Sequence, residues 1–114
     1  MKKILVVEDD RDISETLKQY LDESGIESDV AYDGLQAIEM VESHEYACIV
    51  LDLMLPKRNG IEVLTHIRKT LHVPIIIMSA KDTEYDITIA LELGADDYIT
   101  KPFSFAELAA RIRS

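Results

Sequence analysis

Four places in this chain put polar side chains at the downstream end of an apolar run. Glu8, Asp9 and Asp10 follow "KILVV", Asp52 closes "CIVL", Ser79 closes "PIIIM", and Thr100 and Lys101 follow "DYI". Carboxylates gathered within about 4 to 6 Å raise one another's pKa and cost stability unless a cation sits among them. A hard divalent ion meets that need. Oxygen ligands from Asp9, Asp52 and a nearby backbone carbonyl, completed by water, suit Mg2+, which keeps several waters and rarely takes an all-protein cage. Softer metals find no cluster, because His44, His66 and His72 are scattered and each is expected at the surface or in a loop. Lys101 supplies a second positive charge. Asp52 is the hardest of these residues to explain as structure alone, since a carboxylate ending a central strand needs a partner.

Each residue also has an ordinary structural use. Asp9 or Asp10 can cap the helix that follows a strand, Ser79 can close an ST-turn, and Lys101 can be a solvated lysine. Only their joint placement speaks for chemistry, and that placement depends on the elements between them.

Lys3 to Val7 is short, apolar and β-branched, which predicts a buried strand. Ile13, Leu17 and Leu21, with Tyr20 alongside, are at helical spacing, and Ser24-Gly25 supplies a stop. The unit recurs with a strand over Ser28 to Tyr32, a turn at Asp33-Gly34 and a helix burying Leu35, Ile38 and Val41. A third strand over Ala47 to Leu51 precedes a helix marked by Val63, Leu64, Ile67 and Leu71, which ends at the extended Val73-Pro74. Pro74 to Met78 predicts the fourth strand, and Tyr85 to Leu93 a helix burying Ile87, Ala90, Leu91 and Leu93, with Gly94 as its C′ residue. Asp97 to Thr100 is a brief fifth strand. Phe103, Phe105, Leu108, Ala109 and Ile112 mark a last helix, and the apolar spacing still running at Ser114 leads us to expect a truncated helix with an effector domain lying beyond it. Five alternating units with near-continuous apolar strands imply an α/β fold, a doubly wound parallel sheet with helices on both faces. Ligands of such a sheet bind beyond the carboxyl ends of the strands, at the switch in strand order, which is where all four polar sites fall.

The totals agree with one domain over residues 1–114. A chain of 114 residues with 47% hydrophobic and 30% charged residues has enough material for a single core. No apolar run approaches the roughly 20 residues of a membrane span, and nothing reads as a signal peptide, so a cytoplasmic protein is expected. Cys48 is the one cysteine and sits in an apolar segment, which excludes an internal disulfide and points to a core thiol. A formal charge of −10 repels nucleic acid and anionic membranes, so no direct nucleic-acid contact is expected of this domain.

"ILVVEDD", "VLDLMLP", "IIIMSA" and "GADDYITKPF", in this order and spacing, resemble the receiver domain of a bacterial two-component response regulator. The resemblance implies the flavodoxin-like strand order 2-1-3-4-5 with five helices. It places the acid pair on Glu8 and Asp9, with Asp9 a direct Mg2+ ligand and Glu8 acting through water. It makes Asp52 the phosphoacceptor and the Met54 carbonyl a further metal ligand. Ser79 matches the switch hydroxyl, Tyr98 the switch aromatic and Lys101 the phosphate-binding lysine, followed by Pro102 in a bond the family often holds cis. Tyr98 has core packing as its ordinary alternative.

"DDYITKPFSFAELAARIRS" further resembles the subfamily whose receivers carry a C-terminal winged-helix DNA-binding domain. That resemblance implies a sensor histidine kinase as phosphoryl donor and a homodimer on activation through helix 4, strand 5 and helix 5. Asp96, Asp97, Glu107, Arg111 and Arg113 match its charged face, where an isologous contact pairs acids of one subunit with bases of the other. Ile87 stands where a basic residue is usual, and "PKRNG" puts Lys57 and Arg58 where a small or apolar residue and an acid are commoner. Competing readings are a Mg2+-dependent phosphohydrolase working through an aspartyl-phosphate, a flavin or nucleotide binder, and an unphosphorylated scaffold. The binder is disfavoured because Glu8-Asp9-Asp10 would repel a phosphate.

Overall fold

The computed structural model describes residues 2–114. Strand β1 (Lys3–Val7) leads into α1 (Arg11–Glu23), and the pattern repeats as β2 (Ser28–Ala31), α2 (Gly34–Ser43), β3 (Tyr46–Leu51), α3 (Gly60–Arg68), β4 (Ile75–Ser79), α4 (Glu84–Glu92), β5 (Asp97–Thr100) and α5 (Phe105–Arg113). The strands form one parallel sheet in the order β2-β1-β3-β4-β5. This is the flavodoxin-like arrangement that the resemblance implied. Its order reverses between β1 and β3, so the loops leaving those two strands diverge to opposite faces and open a crevice.

Strand periodicity divides the core in two. Leu5, Val7, Ile49, Leu51, Ile75 and Ile77 point to one face, where Ala37, Ile38, Val63, Leu64, Ile67 and Ala90 of α2, α3 and α4 cover them. Ile4, Val6, Cys48, Val50, Ile76 and Met78 point to the other, against Leu17 and Leu21 of α1 and Leu108 and Ala109 of α5. The central strands are therefore buried on both faces, which is why they read as unbroken apolar runs.

Every helix starts on a side-chain cap. Asp10, Asp33, Asn59, Thr83 and Ser104 each accept the backbone N–H three residues on. Each cap satisfies one of the free N–H groups of the first turn.

The element boundaries shift slightly from the expected ones: β2 ends at Ala31, β3 begins at Tyr46, and β4 runs from Ile75 through Ser79. Four apolar residues expected in the core are exposed: Leu35, Leu71, Leu91 and Leu93. Leu71 lies beyond α3, which stops at Arg68, and Leu93 beyond α4. Leu35 falls in the first turn of α2, where the inward stripe is carried by Gly34, Ala37, Ile38 and Val41 instead. No helix of the described residues is long and apolar enough to cross a membrane.

Candidate functional site

The site is set by the parallel ladder running one residue past each strand. Glu8 N–H donates to the Ala31 carbonyl at 3.0 Å, Asp52 N–H to Val7 at 3.0 Å, and Lys101 N–H to Ser79 at 2.8 Å. These bonds fix the backbones of Glu8, Asp52 and Lys101 before any side chain acts, and bring residues 93 and 49 positions apart into contact. Behind Asp52, Gly60 N–H returns to the Leu53 carbonyl at 2.9 Å. A Cβ at Gly60 would run into the Asp52 carbonyl and the Leu53 Cα, so only glycine lets α3 begin this close to the strand end.

Lys101 Nζ donates to Glu8 Oε1 at 2.6 Å and to Asp52 Oδ2 at 2.9 Å. The other oxygens are held by backbone: Met54 N–H donates to Asp52 Oδ1 at 3.0 Å and Asp10 N–H to Glu8 Oε2 at 3.3 Å. Glu8 is 1% and Asp52 4% exposed, whereas Asp9 is open to solvent. Ligand atoms of Glu8, Asp9 and Asp52 lie within 4.8 Å of one another. The three acids after β1 thus separate into different uses: Glu8 faces inward, Asp9 completes the acidic cluster, and Asp10 is the N-cap of α1.

Burial pushes the Glu8 carboxyl up to about 6, with the charge of Asp52 adding to it and the bond from Lys101 opposing it. Burial alone would lower the Lys101 ammonium, but its bonds to Glu8 and Asp52 outweigh that and hold it above its usual value. The result is a carboxylate cluster with one resident positive charge, which leaves negative charge for a second cation to neutralise.

Ser79 is fully buried at the end of β4, and its Oγ accepts the Lys81 N–H at 3.2 Å, the ST-turn expected as its ordinary role. That bond leaves its hydrogen to donate. Tyr98 packs half-buried on the core, and its hydroxyl donates to the Lys81 carbonyl at 2.6 Å. Ser79 and Tyr98 therefore grip the same residue of the loop between β4 and α4 from two strands. The Lys101-Pro102 bond is cis.

The charged residues expected on the face formed by α4, β5 and α5 are engaged within the chain. Arg111 Nη1 donates to Asp97 Oδ1 and Oδ2 at 2.9 and 2.7 Å, and Arg111 lies 3.6 Å from Glu107. Arg113 donates to the Ser24 carbonyl at 2.8 Å. Asp96 is taken up by Arg68, which donates to its Oδ2 at 2.8 Å and to the Gly94 carbonyl at 2.8 Å; the same Oδ2 accepts Ile75 N–H at 2.8 Å. Ile87 is half-buried, beside the exposed Leu91 and Tyr85. Arg68 was not visible as a functional residue in the sequence; its only signal was a base in the last turn of α3. Cys48 is buried, and burial pushes its thiol up to about 12, which leaves it unreactive as expected.

Residues 4–113 match the response regulator receiver domain family. Among solved structures, the receiver domain of a Francisella response regulator is 39% identical, with a TM-score of 0.95 over 99% of this chain and 94% of that one. A two-component response regulator from Clostridium difficile is 34% identical, with a TM-score of 0.94 over 99% of this chain and 93% of that one. The BeF3-activated N-terminal receiver domain of Klebsiella pneumoniae RstA is 32% identical, with a TM-score of 0.93 over 97% of this chain and 95% of that one. With the acidic cluster, its lysine and the doubly wound sheet all in place, the chain belongs to the response regulator receiver domains, the regulatory phosphoacceptor domains of two-component systems.

Proposed function

We propose that the chain is a phosphorylation-controlled switch that takes a phosphoryl group on Asp52 from a sensor histidine kinase. The observation that carries this reading is the Lys101 ammonium held between Glu8 and Asp52, with Asp9 completing a cluster of oxygen ligands. An oxygen-only donor set of this charge fits Mg2+, with Asp9, Asp52, the Met54 carbonyl and, through water, Glu8 as its holders. Bound there, the ion would neutralise phosphoryl oxygens in the transition state.

The chain's own residues do the rest. Met54 N–H and Lys101 fix the two Asp52 oxygens, so the carboxylate is oriented before a donor arrives. A new bond forms from an Asp52 oxygen to phosphorus as the bond from phosphorus to the donor breaks; the electron pair leaves with the donor, and no redox change occurs. Lys101 then has phosphoryl oxygens as acceptors, and the Ser79 hydroxyl can donate to another. Drawing Ser79 to the phosphoryl group pulls on Lys81, which Tyr98 also holds, so the change is transmitted to α4 and β5.

The output is a change in the α4, β5 and α5 face that controls homodimerisation. In a parent protein with a winged-helix domain, it would control transcription. Dimerisation through charged pairs requires Asp97 and Arg111 to exchange an existing partner within the chain for one across the two-fold axis. The setting proposed is the cytoplasm.

Intact mass after incubation with Mg2+ and acetyl phosphate tests the site. One phosphoryl adduct is expected in wild type and none in Asp52→Ala or without Mg2+. Equal incorporation by Asp52→Ala overturns the assignment; sustained donor consumption without an adduct in wild type leaves a phosphohydrolase or a receiver with a short-lived phosphoryl group, and repeated turnover of a phosphomonoester marks the phosphohydrolase.

A further inference from the structure

The site is acidic, yet its incoming substrate is an anion. In a chain of net charge −10, an approaching phosphodonor meets the exposed Asp9 of the acidic cluster and Asp10 beside it. One sector of the rim differs. Arg11, Lys57 and the backbone of Arg58 meet the consecutive residues Tyr32, Asp33 and Gly34, just past the end of β2. The Arg11 guanidinium lies over the Tyr32 ring, 4.0 Å from its centroid. Lys57 Nζ is 3.5 Å from Asp33 Oδ2, and the Arg58 carbonyl and Cβ press on Gly34, where a side chain would not fit.

The backbone that carries Lys57 and Arg58 is fixed, while both side chains are exposed. Gly34 N–H donates to the Pro56 carbonyl at 3.4 Å, and Arg58 N–H to the same carbonyl at 2.8 Å, so the loop after Asp52 is tied to the loop after β2. Lys57 sits at φ 67, the left-handed region that a lysine adopts at a cost, and its side chain is 63% exposed. Asp33 offsets part of this charge, but it also caps α2 through Gln36 N–H. Among the described residues, the Arg58 guanidinium makes no hydrogen bond or ion pair, and Arg58 is exposed. Both bases stand on the short loop that leaves Asp52 and is closed by Gly60 N–H on the Leu53 carbonyl at 2.9 Å, so their charges border the mouth of the site, and at low ionic strength such exposed charges act over a longer range.

We propose that Lys57 and Arg58, with Arg11 beside them, form a basic rim that steers dianionic phosphodonors to the acidic site, so that this domain discriminates donors by charge and prefers acyl phosphates to less negative phosphoramidates. The inference rests on Asp52 as phosphoacceptor. In the step concerned, the Asp52 carboxylate forms a bond to phosphorus, the phosphorus–oxygen bond of the acyl phosphate breaks, and the carboxylate leaves with its electron pair; no proton or oxidant is required. The rim residues do not touch the reacting atoms. They act on encounter, through a potential that neighbouring acids would otherwise make repulsive.

The test compares initial rates of adduct formation with acetyl phosphate and with phosphoramidate, both with Mg2+, at low and high ionic strength. Lys57→Asn/Arg58→Ala removes two charges, and asparagine accepts the left-handed backbone at position 57. Lys57→Arg/Arg58→Lys keeps the charges. Lys2→Gln/Lys69→Gln makes the same net change at the opposite end of the sheet. The neutralised rim should lose about three-fold in rate with acetyl phosphate at roughly 10 mM ionic strength, markedly less with phosphoramidate, and nothing at about 0.3 M. The charge-conserving and remote variants should match wild type. An unchanged rate overturns the proposal, as does a loss equal for both donors and insensitive to salt, which would mark a structural role. If wild type forms no adduct with either donor, the phosphoacceptor reading itself fails and the rim falls with it.

Discussion

Lys101 and Asp52 are 49 residues apart and form a 2.9 Å ion pair in which the carboxylate is buried and the ammonium partly so. The same ammonium reaches Glu8, so one cation holds two buried carboxylates. Removing it should expose the cost of gathering them. In Lys101→Met, which keeps the apolar stem, we expect a loss of about 2 to 4 kcal/mol at neutral pH without metal, since breaking a buried pair leaves uncompensated charge. Mg2+ should restore part of it. Urea unfolding with chelator and with Mg2+ measures both, and a loss unaffected by Mg2+ would show that the two cations do not share this charge.

Glu8 predicts a pH dependence. Its carboxyl is raised from 4.5 to about 6 in the folded chain, chiefly by burial. Between those values the folded protein holds a proton that the unfolded chain has shed, so the contribution of Glu8 to stability falls as pH rises through this window and is flat above it. A rise of about 1.5 units corresponds to about 2 kcal/mol. Unfolding free energies of wild type and Glu8→Gln, measured without metal from about pH 4 to 7.5, should show wild type minus variant falling by that order as pH rises. A rise in wild type minus variant with pH would mean that the Lys101 bond outweighs burial.

Asp96 and Asp97 are adjacent acids with different expected costs. Asp96 Oδ2 receives both Arg68 and the Ile75 N–H; Arg68 keeps its bonds to the Gly94 and Leu71 carbonyls, so Asp96→Ala should cost about 1 to 2 kcal/mol, chiefly by leaving the part-buried Ile75 N–H without its acceptor. Arg68→Ala should show coupling to it in a double-mutant cycle. The Asp97–Arg111 pair is substantially exposed, and Asp97→Ala should cost less than about 1 kcal/mol. If dimerisation follows phosphorylation, sedimentation should show Asp97→Ala and Arg111→Ala weakening it.

Gly60→Ala should fold poorly. Its methyl group would occupy space held by the backbone of Asp52 and Leu53, which no rotamer change can vacate. A loss of at least about 3 kcal/mol is expected, with reduced phosphoryl acceptance in whatever remains folded. Wild-type stability in this variant would show that α3 can retreat from the strand end without cost.

Much of this fold is legible in the sequence. The central strands announced themselves because a parallel strand covered on both faces has no polar side, so "KILVV", "CIVL" and "IIIM" had no other comfortable reading. Helices were legible by spacing in their middles and misread at their ends. Leu35, Leu71 and Leu93 continue an apolar period but fall in a first turn or past a last residue. Periodicity cannot say where a helix stops covering the sheet, and a monomer keeps apolar surface in any case.

The sequence by itself determined the order of strands and helices, the residues that end each strand, and hence the set of groups available for chemistry. Only the tertiary structure decided how that set is used. It turned Glu8 inward and left Asp9 outside, spent Asp10 on a cap, and paired Lys101 with two acids. It also committed Asp96 to Arg68 and gathered Arg11, Lys57 and Arg58 around one loop. The physical reason is range: periodicity and capping are settled within a few residues, whereas the pairing of charges depends on side chains brought within a few ångströms from positions far apart in the chain, where burial sets the strength of each contact.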